Sequence, residues 1–141
     1  MNHKGRVRPR LDFANDKPLL TGESWSRRVG VYGQKLAVDF LVRNHYKIET
    51  ENFRTRQGEI DIIASQDGQV VFVEVKARLS NRFGLPEEAV TEGKLAKMNL
   101  AALKYLEEQK LNTDNFRFDI VAIEIDKAQK KAKIRHYKNI E

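Results

Sequence analysis

The sequence predicts an α/β domain, a mixed β-sheet flanked by helices in the order α-β-β-β-α-β-β. Three observations carry this. Two stretches place apolar residues at helical spacing. Five shorter stretches alternate or run apolar, and two of them meet through Asp67-Gly68, the dipeptide favoured in a two-residue type I′ hairpin turn. The second helical stretch falls between the third and fourth strands, so a hairpin continues through a crossover helix to a later strand, and the sheet must be of mixed sense. With 141 residues, 40% of them hydrophobic and 33% charged, the chain suits one domain around a single core.

Residues 1–28 carry Gly5, Pro9, Pro18 and Gly22, several charges and no sustained apolar period. They are expected to be a flexible basic extension, because they bury too little to offset the entropy of ordering; the domain is expected over 29–141. From Gly30, the residues Val31, Leu36, Ala37, Phe40 and Leu41 predict an amphipathic helix ending near Asn44 or His45. Tyr46 to Arg54 alternates and predicts a strand, closed by the Arg56-Gln57-Gly58 break. Strands follow over Glu59–Ser65 and Val70–Ala77. Beyond a loop with Gly84 and Pro86, Val90, Leu95, Met98, Ala102, Leu103 and Leu106 mark a helix from Glu87 to about Lys110, weakened at Gly93. Phe116–Ile125 and Lys131–Tyr137 predict two further strands, with a turn around Asp126 to Gln129.

Composition excludes several function classes. The chain has no cysteine, hence no disulfide framework, thiolate zinc site or Cys nucleophile, which fits a reducing compartment. Its longest apolar runs, such as Val70-Val71-Phe72-Val73, fall far short of the ~20 residues a membrane span requires. The N-terminal region lacks the apolar segment of a secretory signal, and Asp12, Asp16 and Glu23 suit an organelle transit peptide poorly. A cytoplasmic protein without membrane partners is the expectation. The formal charge of +6 admits a polyanionic partner such as nucleic acid. No glycine-rich phosphate loop is present, so nucleotide binding has no support.

The hairpin permits a geometric step. With Asp67 and Gly68 as the loop, Gln66 pairs with Gln69, and continuing outward Asp61 falls opposite Glu74 and Glu59 opposite Lys76. Alternation then puts Glu59, Asp61, Glu74 and Lys76 on one face and Ile60, Ile62, Val71, Val73 and Val75 on the other. Opposed side chains have Cβ atoms about 4.5–5.5 Å apart, where like charges destabilise a sheet. A divalent cation between the carboxylates removes the repulsion, and hard oxygen donors favour Mg²⁺ or Mn²⁺. Lys76 then stands where it can orient an attacking water and stabilise charge on a phosphate. The same residues also read as a surface network, with Lys76 on Glu59 and a nearby arginine neutralising Asp61 and Glu74. Glu-x-Lys alone decides nothing, since the chain has three copies, ending at Lys76, Lys94 and Lys110; only the first lies on a predicted strand, where i and i+2 share a face.

Four segments carry a resemblance: Gly58-Glu59-Ile60-Asp61-Ile62-Ile63-Ala64, Val71-Phe72-Val73-Glu74-Val75-Lys76-Ala77-Arg78, Phe83-Gly84-Leu85-Pro86-Glu87-Glu88-Ala89-Val90 and Arg117-Phe118-Asp119-Ile120-Val121-Ala122-Ile123. They resemble the bacterial YraN-type uncharacterised protein family over nearly everything after about Arg28. That family is similar to the endonuclease-like PD-(D/E)xK superfamily, which includes archaeal Holliday junction resolvases and many restriction enzymes. The resemblance implies a restriction-endonuclease-like mixed sheet, Asp61 and Glu74 as metal-binding carboxylates, Lys76 as the catalytic lysine and the carbonyl of Val75 as a further ligand. It also implies one departure. Where the family usually shows Gly-Glu-x-x-Ala in the first helix, this chain has Gly33-Gln34-Lys35-Leu36-Ala37, and neutral Gln34 contributes less to a cation than a carboxylate. Gln34 and Glu59 are the additional site candidates.

Other residues read two ways. Arg54, Arg56 and Arg78 flank the acidic strands as phosphate contacts or as counter-ions to them. Arg82, beside Phe83 and Gly84, reads as a nucleic-acid contact or as part of an anchored loop. Lys131, Lys133 and Arg135 form one basic strand face, either DNA-facing or guarding an edge against aggregation. His3, His45 and His136 share no ligand or triad spacing and read as ordinary surface or core residues. The expected function is a Mg²⁺- or Mn²⁺-dependent nuclease-like protein acting on DNA, with branched DNA as a candidate substrate and a homodimer as a candidate assembly. The competing readings are an inert nucleic-acid-binding module of the same fold and a protein-interaction adaptor. Charge distribution suits the first: residues 1–28 hold seven Lys and Arg against three acids and 127–141 six against one, whereas 29–126 hold thirteen against sixteen. The basic charge lies at the ends, and the centre is acidic, as a cation site requires.

Overall fold

The computed structural model describes residues 22–80, 92–111, 114–126 and 128–140, with side chains from Arg27 onward. Seven elements follow in order: α1 (Gly22–Arg43), β1 (Lys47–Arg54), β2 (Glu59–Gln66), β3 (Gln69–Leu79), α2 (Glu92–Glu108), β4 (Phe116–Asp126) and β5 (Lys131–Tyr137). The strands form one sheet in the order β1-β2-β3-β4-β5. Only β3 and β4 run parallel, as the intervening helix demands; the other neighbours are antiparallel. This is the α-β-β-β-α-β-β arrangement expected.

A helix covers each face. Val29, Leu36, Ala37, Phe40 and Leu41 of α1 pack with Ile62, Val73 and Ile123. Met98, Ala101, Ala102, Tyr105 and Leu106 of α2 pack with Ile60, Ile63, Phe72 and Phe118. Because β3 and β4 are covered on both sides, they read as continuous apolar runs rather than alternations. Gly33 lets α1 lie against β3, since a Cβ there would collide with the Cβ of Ala77. Gly58 does the same at the β1–β2 corner, where a Cβ would lie 2.7 Å from the carbonyl oxygen of Lys97 on α2.

Both helices end in the same way, on left-handed residues that are not glycine. His45 (φ 69°) and Lys110 (φ 55°) reverse the chain, and the following amides, of Tyr46 and Leu111, donate to the carbonyls of Leu41 and Leu106, each at 2.9 Å. These are Schellman ends, which satisfy carbonyls the helix leaves over. At the β2–β3 turn Asp67 and Gly68 both have positive φ (52° and 79°), and Gln66 pairs with Gln69, the type I′ geometry and register expected.

Two expectations need correction. Helix α1 begins at Gly22, eight residues before the Gly30 start that the apolar period predicts. Once a helix is nucleated, residues without an apolar period extend it at little cost, provided no proline intervenes. Residues 1–21, and the 87–91 start expected for the second helix, lie outside the described residues. The second correction concerns Ile60, which packs with Ile63 and Phe72 under α2 and not with Ile62 and Val73 under α1. Strict alternation breaks between them, at Asp61.

Candidate active site

The break at Asp61 is what makes the site. Pairing between β2 and β3 runs from Gln66–Gln69 to Ile62–Val73 and stops there, one step short of Asp61 and Glu74. Beyond that point the Asp61 side chain takes over from the backbone, and its Oδ2 accepts the Val75 N–H at 2.8 Å. On the other side, Asn52 of β1 adopts a left-handed conformation (φ 53°) between the Glu51–Ile62 and Phe53–Ile60 pairs, and the β1–β2 register shifts once more between Ile48 and Thr50. Irregularities of this kind re-aim side chains and are common beside active sites.

Glu74, at 4% exposure, is one of only three buried polar or charged residues among those described. Its Oε1 lies 2.5 Å from the Lys94 ammonium and 3.7 Å from that of Lys76. Burial, together with the negative charge of Glu74, pushes the Asp61 carboxyl up to about 6. Burial and the adjacent Lys94 ammonium push Lys76 down. Burial also opposes the charge on Lys94, but its hydrogen bonds to Glu74 and Lys76 and the negative charges of Glu74 and Asp61 together outweigh this and hold Lys94 above the usual lysine range. Two carboxylates and two ammonium groups therefore share one partly dry corner.

A cleft of about 580 Å³ opens between α1 and the ends of the strands, lined by Arg27, Gln34, Glu51, Asp61, Lys76 and others. Glu74 does not line it. Gln34 stands on the α1 wall, where its Nε2 donates to Glu51 Oε1 at 3.1 Å and to the Asp61 carbonyl at 3.4 Å.

Of the residues singled out from the sequence, Asp61, Glu74, Val75 and Lys76 come together, with Gln34 beside them. Glu59 pairs with Arg54 at 3.3 Å and not with Lys76; both side chains are exposed, and such a pair adds little. Arg54 lines the cleft, whereas Arg56 is exposed and outside its lining. Arg78 approaches Glu124 at 4.0 Å. Arg82 lies outside the described residues. Where the network reading expects an arginine beside Asp61 and Glu74, the structure places a lysine, Lys94. Its copy of Glu-x-Lys lies on a helix, yet the sequence carries a signal for it. Lys94 precedes buried Met98 by one helical turn, so it sits on the inward stripe of α2, where a lysine needs a partner.

A hard divalent cation suits this donor set in part. Asp61, Glu74 and the Val75 carbonyl supply oxygen donors of the kind Mg²⁺ or Mn²⁺ takes, and a raised Asp61 beside a second carboxylate is a pair that a cation would relieve. Among the described residues, however, no three His, Asp or Glu side chains gather closely enough to hold an ion. Gln34, on the nearby α1 wall, adds an amide and not a third carboxylate.

A second buried acid behaves differently. Asp119 of β4, fully buried, accepts hydrogen bonds from Arg117 Nε at 3.0 Å and from the Asn139 N–H at 3.0 Å, and lies 2.7 Å from His136 Nε2. Arg117 in turn bonds Tyr46 Oη at 2.6 Å and Gln69 Oε1 at 2.8 Å. Burial pushes the Asp119 carboxyl up, but these hydrogen bonds outweigh it and hold the group below the usual carboxylate range. His136, which the sequence reads as an ordinary surface or core residue, is an inner member of this network.

The model of Uncharacterised protein family UPF0102 matches residues 33–123, which run from within α1 to within β4 and include Gln34, Asp61, Glu74, Val75, Lys76 and Lys94. The chain is 42% identical over 114 residues to a UPF0102 protein of Syntrophomonas wolfei, covering 81% of this chain and 97% of that one. It is 45% identical over 115 residues to a UPF0102 protein of Caldicellulosiruptor bescii, covering 80% and 96%. A UPF0102 protein of Clostridium botulinum is 34% identical over 117 residues, covering 83% and 96%. No helix among the described residues is long and apolar enough to cross a membrane.

Proposed function

The chain belongs to Uncharacterised protein family UPF0102, and from that premise we propose that it is a metal-dependent nuclease-like protein that binds DNA and hydrolyses its phosphodiesters, with branched DNA as the favoured substrate. The observation that carries this reading is the parting of β2 and β3 at Asp61 and Glu74, with Lys76 two residues further along beside an open cleft. The resemblance to endonuclease-like proteins supports the same assignment of these residues.

Asp61, Glu74 and the Val75 carbonyl would hold a Mg²⁺ or Mn²⁺ ion. Such an ion supplies Lewis acidity at a phosphoryl oxygen and lowers the pKa of a water it binds. The chain's own groups do the rest. Asp61 is oriented by the Val75 N–H. Lys76 is held below the usual lysine range, which suits it to pass a proton to or from the attacking water and to stabilise the pentacovalent phosphate. Arg27, Lys35 and Arg54 along the cleft offer positive charge to the phosphates on either side.

Gln34 favours a second reading, an inert nucleic-acid-binding module of the same fold, because a donor stands where a third carboxylate would complete a cation site. Incubation of the protein with duplex, flap and four-way-junction DNA, in Mg²⁺ or Mn²⁺, separates the two. Metal-dependent cleavage that Lys76→Ala and Asp61→Asn abolish supports the nuclease. Tight, salt-sensitive binding without cleavage supports the module. Absence of both metal and DNA binding removes both.

A further inference from the structure

Glu74 already has a cation. Its carboxylate is 5% exposed at the side chain, faces the Lys94 ammonium at 2.5 Å and the Lys76 ammonium at 3.7 Å, and does not line the cleft that Asp61 and Lys76 line. Lys94 comes from the first turn of α2, on the opposite side of the sheet from Gln34 on α1. Asp61, Glu74, Lys76 and Lys94 together carry no net formal charge. A divalent ion added to this set with Lys94 in place would leave two carboxylates facing two ammonium groups and a double charge, in a partly buried corner where like charges repel strongly.

We propose that Lys94 is a built-in counter-ion of Glu74 that must be displaced before a divalent cation can use that carboxylate, so that the lysine and the metal bind Glu74 in mutual exclusion. The inference rests on the metal-dependent reading above and goes beyond it, by assigning a regulatory residue that the resemblance does not supply. The displaced ammonium sits on a flexible four-carbon stem, so it can leave Glu74 without a movement of α2. Lys94 acts here through Glu74 and is a positioning residue.

Mutual exclusion has a thermodynamic signature that a structural ion pair lacks. A residue that only braces the fold lowers stability when removed and leaves metal affinity alone. A residue that competes with the metal lowers metal-free stability and raises affinity, because the wild-type metal must first break a charge-assisted hydrogen bond. Titration of Mn²⁺ into full-length wild type, Lys94→Gln and Lys94→Ala by calorimetry should give roughly tenfold to hundredfold tighter binding in the variants, the range such a bond implies. Their melting temperatures should be lower than wild type in chelator and recover with Mn²⁺. Labelling of wild type with an amine-reactive acetylating reagent requires no variant to fold: Lys94 should react several-fold faster with Mn²⁺ present, while exposed Lys97 and Lys104 do not change. Equal Mn²⁺ affinity in wild type and variants, or Lys94 labelling indifferent to Mn²⁺, overturns the exchange while leaving the metal site standing. Absence of Mn²⁺ binding in wild type and variants alike overturns the metal reading, and the exchange with it.

Discussion

Two buried carboxylates in the same sheet have been settled in opposite ways. Asp119 and Glu74 lie on adjacent, paired strands, one residue apart in register. Asp119 is surrounded by a fixed arginine, a histidine and a backbone amide, and its carboxyl is held below the usual range. The Asp61–Glu74 pair has one backbone amide and two long, flexible lysines, and Asp61 is pushed up to about 6. The donors around Asp119 also anchor distant parts of the chain, Tyr46 after α1 and Asn139 after β5. Those around Asp61 and Glu74 anchor little and can be exchanged. A satisfied acid is a fastening, and an under-compensated one beside a cleft is a candidate site. Each of the following measurements tests that contrast.

The largest effect falls on the fastening. Asp119→Ala leaves Arg117 and His136 facing one another in the core without their common acceptor, and uncompensated buried polar groups of this kind cost about 3–5 kcal/mol. The midpoint of urea unfolding should fall accordingly, with Mn²⁺ unable to restore it. A midpoint near that of wild type would mean that the network is decorative and the contrast false.

Asp61→Asn should act in the opposite direction. Asn keeps an oxygen to accept the Val75 N–H but removes the charge that burial and Glu74 oppose. At pH 8 in chelator the variant should be more stable than wild type by about 1–2 kcal/mol, once the shift is discounted for solvent screening, and it should lose Mn²⁺ binding. A gain in stability bought with function marks a strained site. Destabilisation under the same conditions would show that Asp61 is a fastening too.

The two acids also predict opposite pH dependence. An unfolded aspartate titrates near pH ~3.9. Asp61 has a raised folded value, so the folded protein binds the extra proton between about pH 4 and 6, and stability falls as pH rises through that window. Asp119 has a lowered folded value, so its contribution is complete above about pH 4 and is lost on further acidification. Thermal melts in chelator should show the advantage of Asp61→Asn over wild type vanishing near pH 4 and reaching its full size above about pH 6. A constant gap across that range would sink the assignment of the raised carboxyl to Asp61.

How far these features were legible in the sequence follows the range of the forces involved. The order of elements along the chain and the β2–β3 register can be read because alternation and Asp67-Gly68 are local, and the register runs toward Asp61 and Glu74. The face of Ile60 could not, because the kink at Asp61 arises from a side chain bonding an amide fourteen residues away. The first helix was cut short because Ser24 to Arg28 add no apolar period, although nothing in them opposes a helix. Lys94 was passed over because its partner lies on another element, and a spacing rule along one helix does not report which strand it faces. His136 and Asp119 were each visible, but their pairing depends on the β4–β5 register, which no turn signal set.

The smallest effect falls on Gln34, and it bears on how far the site departs from a fastening. Its amide donates to Glu51 and to the Asp61 carbonyl, so in the metal-free protein Gln34 serves the same purpose as the donors around Asp119. Glu at this position has no hydrogen to donate at neutral pH and would face both acceptors with a third negative charge. In chelator, Gln34→Glu should therefore be less stable than wild type by about 0.5–1 kcal/mol, the net worth of a part-exposed hydrogen bond. With Mn²⁺ the sign should change, because a further carboxylate raises the affinity of an oxygen site for a hard cation. Calorimetry should show binding several-fold tighter, and the melting temperature at saturating Mn²⁺ should reach or pass that of wild type. Lower stability with unchanged affinity would place Gln34 outside the cation's reach, making it a brace for β1 and β2, and the α1 wall of the cleft would then belong to the fold rather than to the site.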